Sequence, residues 1–174
     1  MLYLLPFVSI VSLYSYIYIQ FGRYPLQNWV EDTKPYQYYE LAIQKWCQDE
    51  YQIHGLWPQY DATSYPTNCI APVYENVEGD LLNEMKEEWH SCDSTQDFWN
   101  HEYTKHLSCL YQQYGIQEYD AFRLTLSLFE DLTDEDFKKC NNEDDCIVAC
   151  YNLYLEKIPC MPTKSAIDKV AYPS

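Results

Sequence analysis

The sequence predicts a single α+β domain in which helices pack against a sheet. Three observations predict this class. The chain has 174 residues, which is enough for one domain and too few for two ordinary ones. Hydrophobic residues make up 47% of the chain and charged residues 22%, which excludes a disordered protein. Segments typical of strands come first, and segments with helical spacing of apolar residues follow them.

The first half of the chain contains two predicted strands. Residues 36–46 mix aromatic and aliphatic side chains with partial alternation, and residues 51–57 form a second candidate. Because side chains alternate along a strand, Ile53 and His54 must point to opposite faces. If Ile53 enters the core, His54 faces the outer surface or a cleft. The stretch 61–72 that follows is rich in turn residues.

Three helices are predicted after this turn-rich stretch. Apolar residues between positions 81 and 89 follow helical spacing. Ser94, with Asp97 three residues later, resembles a helix start, and residues 98–109 would continue that helix. The spacing of aromatic and aliphatic residues over 122–129 indicates the third, amphipathic helix.

The two ends of the chain give further expectations. The polar stretch 134–145 is predicted to be a loop, and residues 153–158 a final strand. The first charged side chain is Arg23, and the apolar segment 1–22 before it is interpreted as a cleaved secretory signal peptide. The alternatives are an uncleaved membrane anchor and a structural core segment. With cleavage, residues 23–174 form the single domain.

The cysteines favour an oxidising compartment. There are eight of them, and no C-x-x-C pair occurs, which argues against a zinc cluster. Together with an export signal, the even number predicts four disulfides. Their spacing alone permits 105 pairings. The cysteines are Cys47, Cys69, Cys92, Cys109, Cys140, Cys146, Cys150 and Cys160.

The charge balance restricts how the protein could bind nucleic acid. Lysine and arginine number 11 and aspartate and glutamate 27, so the formal net charge is −16. Such a surface excludes nonspecific nucleic-acid binding through overall positive charge, because it repels the phosphate backbone.

Candidate catalytic residues lie in two segments. The first, I-H-G-L-W-P, contains His54, and the second, F-W-N-H-E-Y-T-K-H-L-S-C, occupies residues 98–109. Set on a regular helix, the polar side chains of the second segment share an arc of about 140°. Two histidines on opposite sides of a phosphate can act as base and acid, and a lysine can stabilise the extra negative charge of a phosphorane. These polar residues are His101, Glu102, Lys105 and His106.

The second segment has two other interpretations. The five-residue spacing from His101 to His106 differs from the four of H-E-x-x-H and separates the imidazoles by about 140°, which argues against joint metal ligation. Glu102 and Lys105 in isolation could also form a solvated helix face. The remaining histidine, His90, is expected to be structural.

The two segments resemble the active-site signatures of the ribonuclease T2 family, the secreted acid ribonucleases. The first signature, I-H-G-L-W-P, is matched in full. The second, F-W-x-H-E-[WY]-x-K-H-G-T-C, is matched except at Leu107 and Ser108, where the family usually has Gly and Thr. Residues 64–69 are similar to the family's S-Y-P-x-N-C, and the likeness runs from about residue 36 to 132. The glycine of the family could serve a close approach or a positive φ that Leu107 would tolerate poorly. The alternative is that any helical residue suffices at this position.

The resemblance implies a fold with a central antiparallel sheet packed with helices and stabilised by disulfides. It also implies residue roles. His106 corresponds to the general base that takes the ribose 2′-OH proton, and His54 to the general acid that protonates the departing 5′ oxygen. Glu102 and Lys105 correspond to the pair that polarises the phosphate and stabilises its pentacovalent state. His101 corresponds to the phosphate-binding histidine.

Base-binding residues are implied in the same way. Trp57 and Tyr65 correspond to aromatic residues of the first base pocket, where stacking tolerates several bases. Gln59 lies where some relatives carry Asp or Asn. Gln44 and Phe98 are candidates for contacts with the second base.

The resemblance implies part of the disulfide pattern. Cys69 is expected to pair with Cys109, and Cys47 with Cys92. The other four cysteines are expected to form two bridges among themselves, in an arrangement that stays open: Cys140, Cys146, Cys150 and Cys160.

The expected reaction is cleavage of single-stranded RNA through a 2′,3′-cyclic phosphate to 3′-phosphate ends, with neither metal nor cofactor. DNA lacks the nucleophilic 2′-OH. The expected protein is a monomer, secreted or in a lysosome- or vacuole-like compartment, and touches a membrane only if residues 1–22 stay uncleaved. Mildly acidic pH would weaken carboxylate repulsion of RNA and keep the histidines protonated. The alternative is a secreted, non-catalytic RNA-binding or toxin-like protein on the same fold.

Overall fold

The structure is a computed structural model that describes residues 36–45, 50–92, 94–141 and 143–160. The predicted signal peptide and Cys47 lie outside the described residues. In chain order the elements are β1 (Tyr38–Gln44), β2 (Gln52–Gln59), α1 (Gly79–Glu88), α2 (Thr95–Glu102), a π-helical turn (Tyr103–Leu107), α3 (Ser108–Tyr114), α4 (Glu118–Glu130), α5 (Asp134–Lys138), β3 (Asp145–Asn152) and β4 (Lys157–Ile158). Within the described part of the chain, no helix is long and apolar enough to cross a membrane.

The four strands form one antiparallel sheet in the order β2-β1-β3-β4. The strand β1 is central, and every one of its residues is buried. The predicted α+β class with an antiparallel sheet is therefore confirmed. The pairing register gives the sheet two different faces. One is apolar and carries Tyr39, Leu41, Ile43, Ile53 and Leu56. The other carries Glu40, Gln44, Trp57, Gln59 and Asp145.

The core lies between the apolar sheet face and the helices. The hydroxyl of Tyr151 on β3 donates a hydrogen bond to the Leu128 carbonyl at 3.2 Å, which ties α4 to the sheet. The Phe122 ring, also on α4, packs edge-on against Trp89 with centroids 5.3 Å apart, and it contacts Tyr103. Burial of these large rings supplies most of the driving force at this interface.

A bulge in β2 sets the direction of His54. The residues on either side of it pair with Ala42 and Ile43, which are neighbours on β1, so β2 has one extra residue there. Three residues apart on a regular strand, His54 and Trp57 would point to opposite faces. The bulge places the two rings in contact instead, with centroids 5.0 Å apart.

The predicted helix over residues 94–109 exists, with one irregularity. The Ser94 side chain accepts a hydrogen bond from the backbone of Asp97, as expected for a helix start. After Glu102, the helix widens into the π turn, in which the Ser108 N–H reaches back five residues to the Tyr103 carbonyl. The regular α-helical arc assumed from the sequence is therefore wrong for this segment.

The C-terminal predictions need two corrections. Residues 134–145 are not all loop, since Asp134–Lys138 forms α5. Thr133 and Asp136 build a capping box at its start, and Phe137 packs edge-on against Phe129. The sequence did not predict this helix because Phe137 is its only aromatic residue, and one apolar residue among charged ones shows no helical spacing.

The last predicted strand is also misplaced. Most of residues 153–158 form a turn, and only Lys157–Ile158 pairs, as β4. The long strand is Asp145–Asn152, and every residue of the central strand β1 pairs with it. Residues 145–152 form a strand because they pair with β1, which is distant in the sequence, and their own composition contributes less.

The structure joins Cys69 to Cys109, the pair implied by the resemblance. Cys92 is also disulfide-bonded. Among the C-terminal cysteines, Cys140 pairs with Cys146 and Cys150 with Cys160. The arrangement left open by the sequence is thus resolved: one bridge closes the loop before β3, and the other holds the chain after β4.

Candidate active site

The site forms where the polar face of β2 meets the end of α2, and Gly55 allows the approach. A Cβ atom at Gly55 would lie 2.1 Å from a Glu102 carboxylate oxygen and 2.6 Å from Trp57 Nε1. Neither distance is physically possible, so only glycine fits. The absence of a side chain lets Glu102 lie directly on the strand, where it is 1% exposed and accepts a 2.9 Å hydrogen bond from Trp57 Nε1.

The π turn positions the second histidine of the helix. Residues five apart on an α-helix are separated by about 140°, but the i→i+5 bonds of a π turn widen each turn and reduce that separation. His106 thereby turns toward the face that carries His101 and Glu102. The 140° separation of a regular α-helix, which argued against joint binding of a metal ion, therefore does not apply to His101 and His106. Within the described ranges, no group of three or more His, Cys, Asp or Glu side chains is arranged to hold a metal ion.

The His54 ring lies between two carboxylates. Its Nδ1 is 3.1 Å from Asp145 Oδ1, and its Nε2 is 3.7 Å from Glu102 Oε1. Burial on its own lowers the pKa of His54. The hydrogen bond to Asp145 and the negative charges of Glu102 and Asp145 outweigh burial and the opposing charge of Lys105, so the pKa is raised above its ordinary value.

The environment of His106 has the opposite effect. The side chain is 5% exposed, and its Nδ1 has no hydrogen-bond partner within the part of the chain that the structure describes. Burial lowers the pKa of His106 well below its ordinary value, and the positive charges of Lys105, His54 and His101 lower it further. This environment opposes the protonation of His106 that was expected for all of the histidines in mild acid.

Two further charged groups complete the cluster. His101 is partly exposed, and its Nε2 lies 4.0 Å from Glu102 Oε1. Burial and the charges of Lys105 and His54 lower the pKa of His101. Burial raises the pKa of Glu102, against the effects of His54, Trp57 and Lys105. The buried carboxyl is thus held by groups that favour its charged form.

Aromatic rings form the wall of the site. The Trp57 ring contacts both imidazoles, with ring centroids 5.0 Å from His54 and 5.2 Å from His106. Tyr65 is 43% exposed, and its ring lies 6.3 Å from that of His106. The loop that carries Tyr65 is tied to the π turn, because the Asn68 N–H donates to the Lys105 carbonyl at 2.9 Å.

The other predicted base contacts are all buried. Gln59 is buried, and its amide donates to Glu40 Oε2 at 3.0 Å, so it faces the interior of the polar sheet face. Gln44 is buried as well and donates to the Ile53 carbonyl at 3.4 Å, while its Oε1 has no hydrogen-bond partner in the described structure. Phe98 is buried with its ring 5.7 Å from that of His54. The Phe98 ring thus contacts the histidine cluster.

The two departures from the family signature are accommodated. Leu107 is fully buried with right-handed helical angles, φ −70° and ψ −24°, so no positive φ is needed there. Ser108 keeps a hydroxyl that donates to the Thr104 carbonyl at 2.7 Å and accepts from the Cys69 N–H at 3.2 Å. That contact lies beside the bridge between Cys69 and Cys109.

Sequence reasoning missed two residues that hold His54. Asp145 contacts the ring, and the indole N–H of Trp89 donates to the His54 carbonyl at 2.9 Å. No sequence signal could have placed Asp145, since it lies 91 positions from His54 and outside both signatures. The apolar spacing of α1 predicted a buried Trp89 but not this hydrogen bond.

Fold and site together define a small, disulfide-bonded α+β protein whose site combines three imidazoles with a buried carboxyl and a lysine. The family model described as "Ribonuclease T2 family" matches residues 24–147, and the chain belongs to that family. It is 36% identical over 85 residues to "Ribonuclease 1" of Arabidopsis thaliana, which covers 45% of this chain and 36% of that protein.

A second curated relative and one solved structure are also similar to the chain. "Ribonuclease DdI" of Dictyostelium discoideum is 32% identical over 117 residues, which covers 59% of this chain and 50% of that protein. The chain thus spans half or less of the length of these curated relatives. The crystal structure of the self-incompatibility-associated SF11-RNase of Nicotiana alata superposes with a TM-score of 0.50 at 23% identity, over 62% of each chain. This likeness supports the fold alone.

Proposed function

We propose that this chain is an endoribonuclease that cleaves single-stranded RNA through a 2′,3′-cyclic phosphate to 3′-phosphate ends. The supporting observation is that the imidazoles of His54 and His106 both contact the Trp57 ring, in environments that shift their pKa values in opposite directions. An acid–base pair needs one protonated and one neutral partner at the same pH, and such opposed environments assign the two roles.

In the first step, neutral His106 takes the proton from the ribose 2′-OH, and the 2′ oxygen attacks phosphorus. The P–O5′ bond breaks as the His54 imidazolium gives a proton to the 5′ oxygen. Lys105 and His101 stabilise the negative charge that builds up on the phosphorane. Glu102, held by Trp57, orients this cluster on the strand.

The second step reverses the roles. Neutral His54 takes a proton from water, and the resulting hydroxide attacks the phosphorus of the cyclic phosphate. The P–O2′ bond breaks as the His106 imidazolium returns a proton to the 2′ oxygen. The product ends in a 3′-phosphate. DNA is not a substrate in this scheme because it has no 2′-OH nucleophile, and every proton transfer uses a side chain of this chain, so neither metal nor cofactor takes part.

The proposal extends to base binding and to the setting of the enzyme. Trp57 and the exposed face of Tyr65 would stack against the base beside the scissile phosphate. Phe98 contacts the His54 ring but is buried, so it would meet a second base only after a rearrangement. Gln59 and Gln44 would bind bases only after leaving their buried contacts. We further propose that the protein is a monomer, that it is secreted or lies in a vacuole-like compartment, and that residues 1–22 are removed.

The direct test is incubation of the purified protein with an RNA oligonucleotide at several pH values, followed by product analysis. A cyclic phosphate that converts to a 3′-phosphate is expected. His54→Ala and His106→Ala should each lower the rate by about 10²- to 10⁴-fold, the usual contribution of a general acid or base.

Two controls separate mechanism from damage to the fold. His90→Gln alters the histidine that lies outside the cluster and should leave the rate unchanged. An oligonucleotide with 2′-O-methyl groups should resist the wild-type protein. Cleavage of that oligonucleotide, or wild-type rates from both alanine variants, would refute the proposed reaction.

A further inference from the structure

Among the described residues, Asp145 is the carboxylate that the sheet itself brings to His54. It opens β3, opposite Gln44 on β1, while His54 lies on β2 beyond that central strand. Strands are spaced about 4.8 Å apart, so Asp145 has to reach across one whole strand. The bulge at His54 makes this possible, because it turns the imidazole toward the polar face, where Asp145 Oδ1 lies 3.1 Å from Nδ1.

The start of β3 is held firmly in place. The backbone N–H of Lys45, just after β1, donates to the Asp144 carbonyl at 2.9 Å. The next residue after Asp145 is Cys146, which is bridged to Cys140. The side chains of Asp145 and His54 are only 15% and 12% exposed, so water competes weakly for their contact. A carboxylate fixed in this way imposes one orientation on the ring.

We propose that Asp145 is a positioning residue that holds His54 with Nδ1–H toward β3 and Nε2 toward the scissile phosphodiester. This inference rests on the proposed function. The imidazolium loses its Nε2 proton to the 5′ oxygen as the P–O5′ bond breaks, and its Nδ1 proton stays in the hydrogen bond to Asp145. The neutral ring therefore keeps the tautomer whose bare Nε2 can take the proton of water in the second step.

The other charges around His54 do not replace this contact. Glu102 faces Nε2 from α2, at 3.7 Å, and so stands on the side of the proton that is transferred. Lys105 approaches from the π turn, and its positive charge opposes protonation of His54. The charge of His54 in turn lowers the pKa values of His101 and His106. Asp145 is instead hydrogen-bonded to Nδ1, on the other side of the ring.

The test compares Asp145→Asn with Asp144→Asn, its exposed neighbour, which removes the same charge one residue away. Two substrates are used: a dinucleotide, and a uridine 3′-phosphate ester of p-nitrophenol, whose leaving group departs without help from an acid. Asp145→Asn should lower kcat on the dinucleotide by about 10- to 100-fold with little change in KM, a part of the general-acid contribution. On the activated ester the loss should be below about threefold, because no proton is needed there.

Two further readouts separate positioning from a structural role. Asp145→Glu, which keeps the carboxylate, should recover part of the lost kcat. In Asp145→Asn the alkaline limb of the pH–rate profile should move to lower pH, since the contact that favours the His54 imidazolium is gone. Equal losses on both substrates, or equal behaviour of Asp145→Asn and Asp144→Asn, would overturn the proposal.

A readout independent of activity keeps this inference distinct from the proposed function. The ¹⁵N chemical shifts of His54 report its tautomer and its titration by NMR. Wild-type protein should show the Nδ1–H tautomer, and Asp145→Asn should lose it and titrate at lower pH. If the wild-type protein cleaves no RNA, the proposed function fails; if the tautomer and titration of His54 are unchanged in Asp145→Asn, the positioning by Asp145 fails.

Discussion

The substitution Gly55→Ala tests the site at its tightest contact. The added methyl group would lie 2.1 Å from a Glu102 carboxylate oxygen, whereas ordinary contact begins at 3.4 Å. The carboxylate or the strand must therefore move by about 1.3 Å, the difference between these two distances. The methyl group would also lie 2.6 Å from Trp57 Nε1, so the hydrogen bond from Trp57 to Glu102 cannot survive unchanged.

Both stability and activity are expected to fall, for different reasons. Overpacking of a buried site costs about 1–3 kcal/mol in the free energy of unfolding. A displacement of about 1 Å in a catalytic group costs about 100-fold in rate. Because Trp57 contacts both imidazoles, a shift of its indole also disturbs the distance between His54 and His106.

Gly115→Ala is the matched control for this prediction. Gly115 has φ +70°, and no atom lies within 4 Å of the place that an added methyl group would take, so alanine there strains the backbone and touches nothing. It should lower stability by about 1 kcal/mol and leave RNA cleavage unchanged. Thermal denaturation and kcat/KM on a dinucleotide measure the two effects. Equal activity of Gly55→Ala and Gly115→Ala would refute the reasoning.

The other predictions concern pH, a hydroxyl and a buried carboxylate. The raised pKa of His54 and the lowered pKa of His106 predict a kcat/KM profile whose alkaline limb lies above the ordinary histidine pKa and whose acidic limb lies well below it; a narrow optimum would contradict this. Ser108→Ala should cost about 1–3 kcal/mol in urea denaturation, since the Cys69 N–H loses its acceptor, while Ser108→Thr should cost far less. The hydrogen bonds to Asp136 hold the pKa of that carboxyl below its usual range against the effect of burial, so it stabilises the fold above the unfolded-state pKa and loses this contribution as pH falls. In Asp136→Asn, the free energy of unfolding should therefore fall less steeply as pH is lowered than it does in the wild-type protein. An unchanged slope would contradict a stabilising role for the Asp136 carboxylate.

The sequence was sufficient for the parts of the site that depend on local pattern. The signature around His54 and the helix that carries Glu102 could both be read from residue type and spacing. Gly55 belongs to the first signature, and its close approach to Glu102 gives a physical reason why a glycine stands there. Local rules place such residues on elements, but they leave the distance between two elements undetermined.

The parts that could not be predicted are those where the backbone leaves its regular period. The bulge at His54 and the π turn before Ser108 each shift a side chain relative to the ideal strand or helix. The strand that begins at Asp145 escaped recognition for a related reason. Its identity depends on β1, which lies far away along the chain.

The two irregularities bring the imidazoles of His54 and His106 to one side chain, the indole of Trp57. Without the bulge, His54 would point away from Trp57; without the π turn, His106 would point farther from His101. Each irregularity costs regular backbone hydrogen bonding, and both lie beside the same indole ring. Strained or irregular backbone concentrates at functional sites, and its coincidence here supports the acid–base pair more than either motif does alone.

The opposed shifts of the imidazoles also resolve a conflict created by the acidic surface. A net charge of −16 repels RNA, and this repulsion weakens only as pH approaches the carboxylate range near 4. The same acidity would protonate an ordinary histidine base and stop the first step. Burial and the positive charges around His106 lower its pKa, so the base stays neutral further into acid, while the imidazolium of His54 is retained. In the proposed reaction, mild acid therefore improves the approach of the substrate without removing the base.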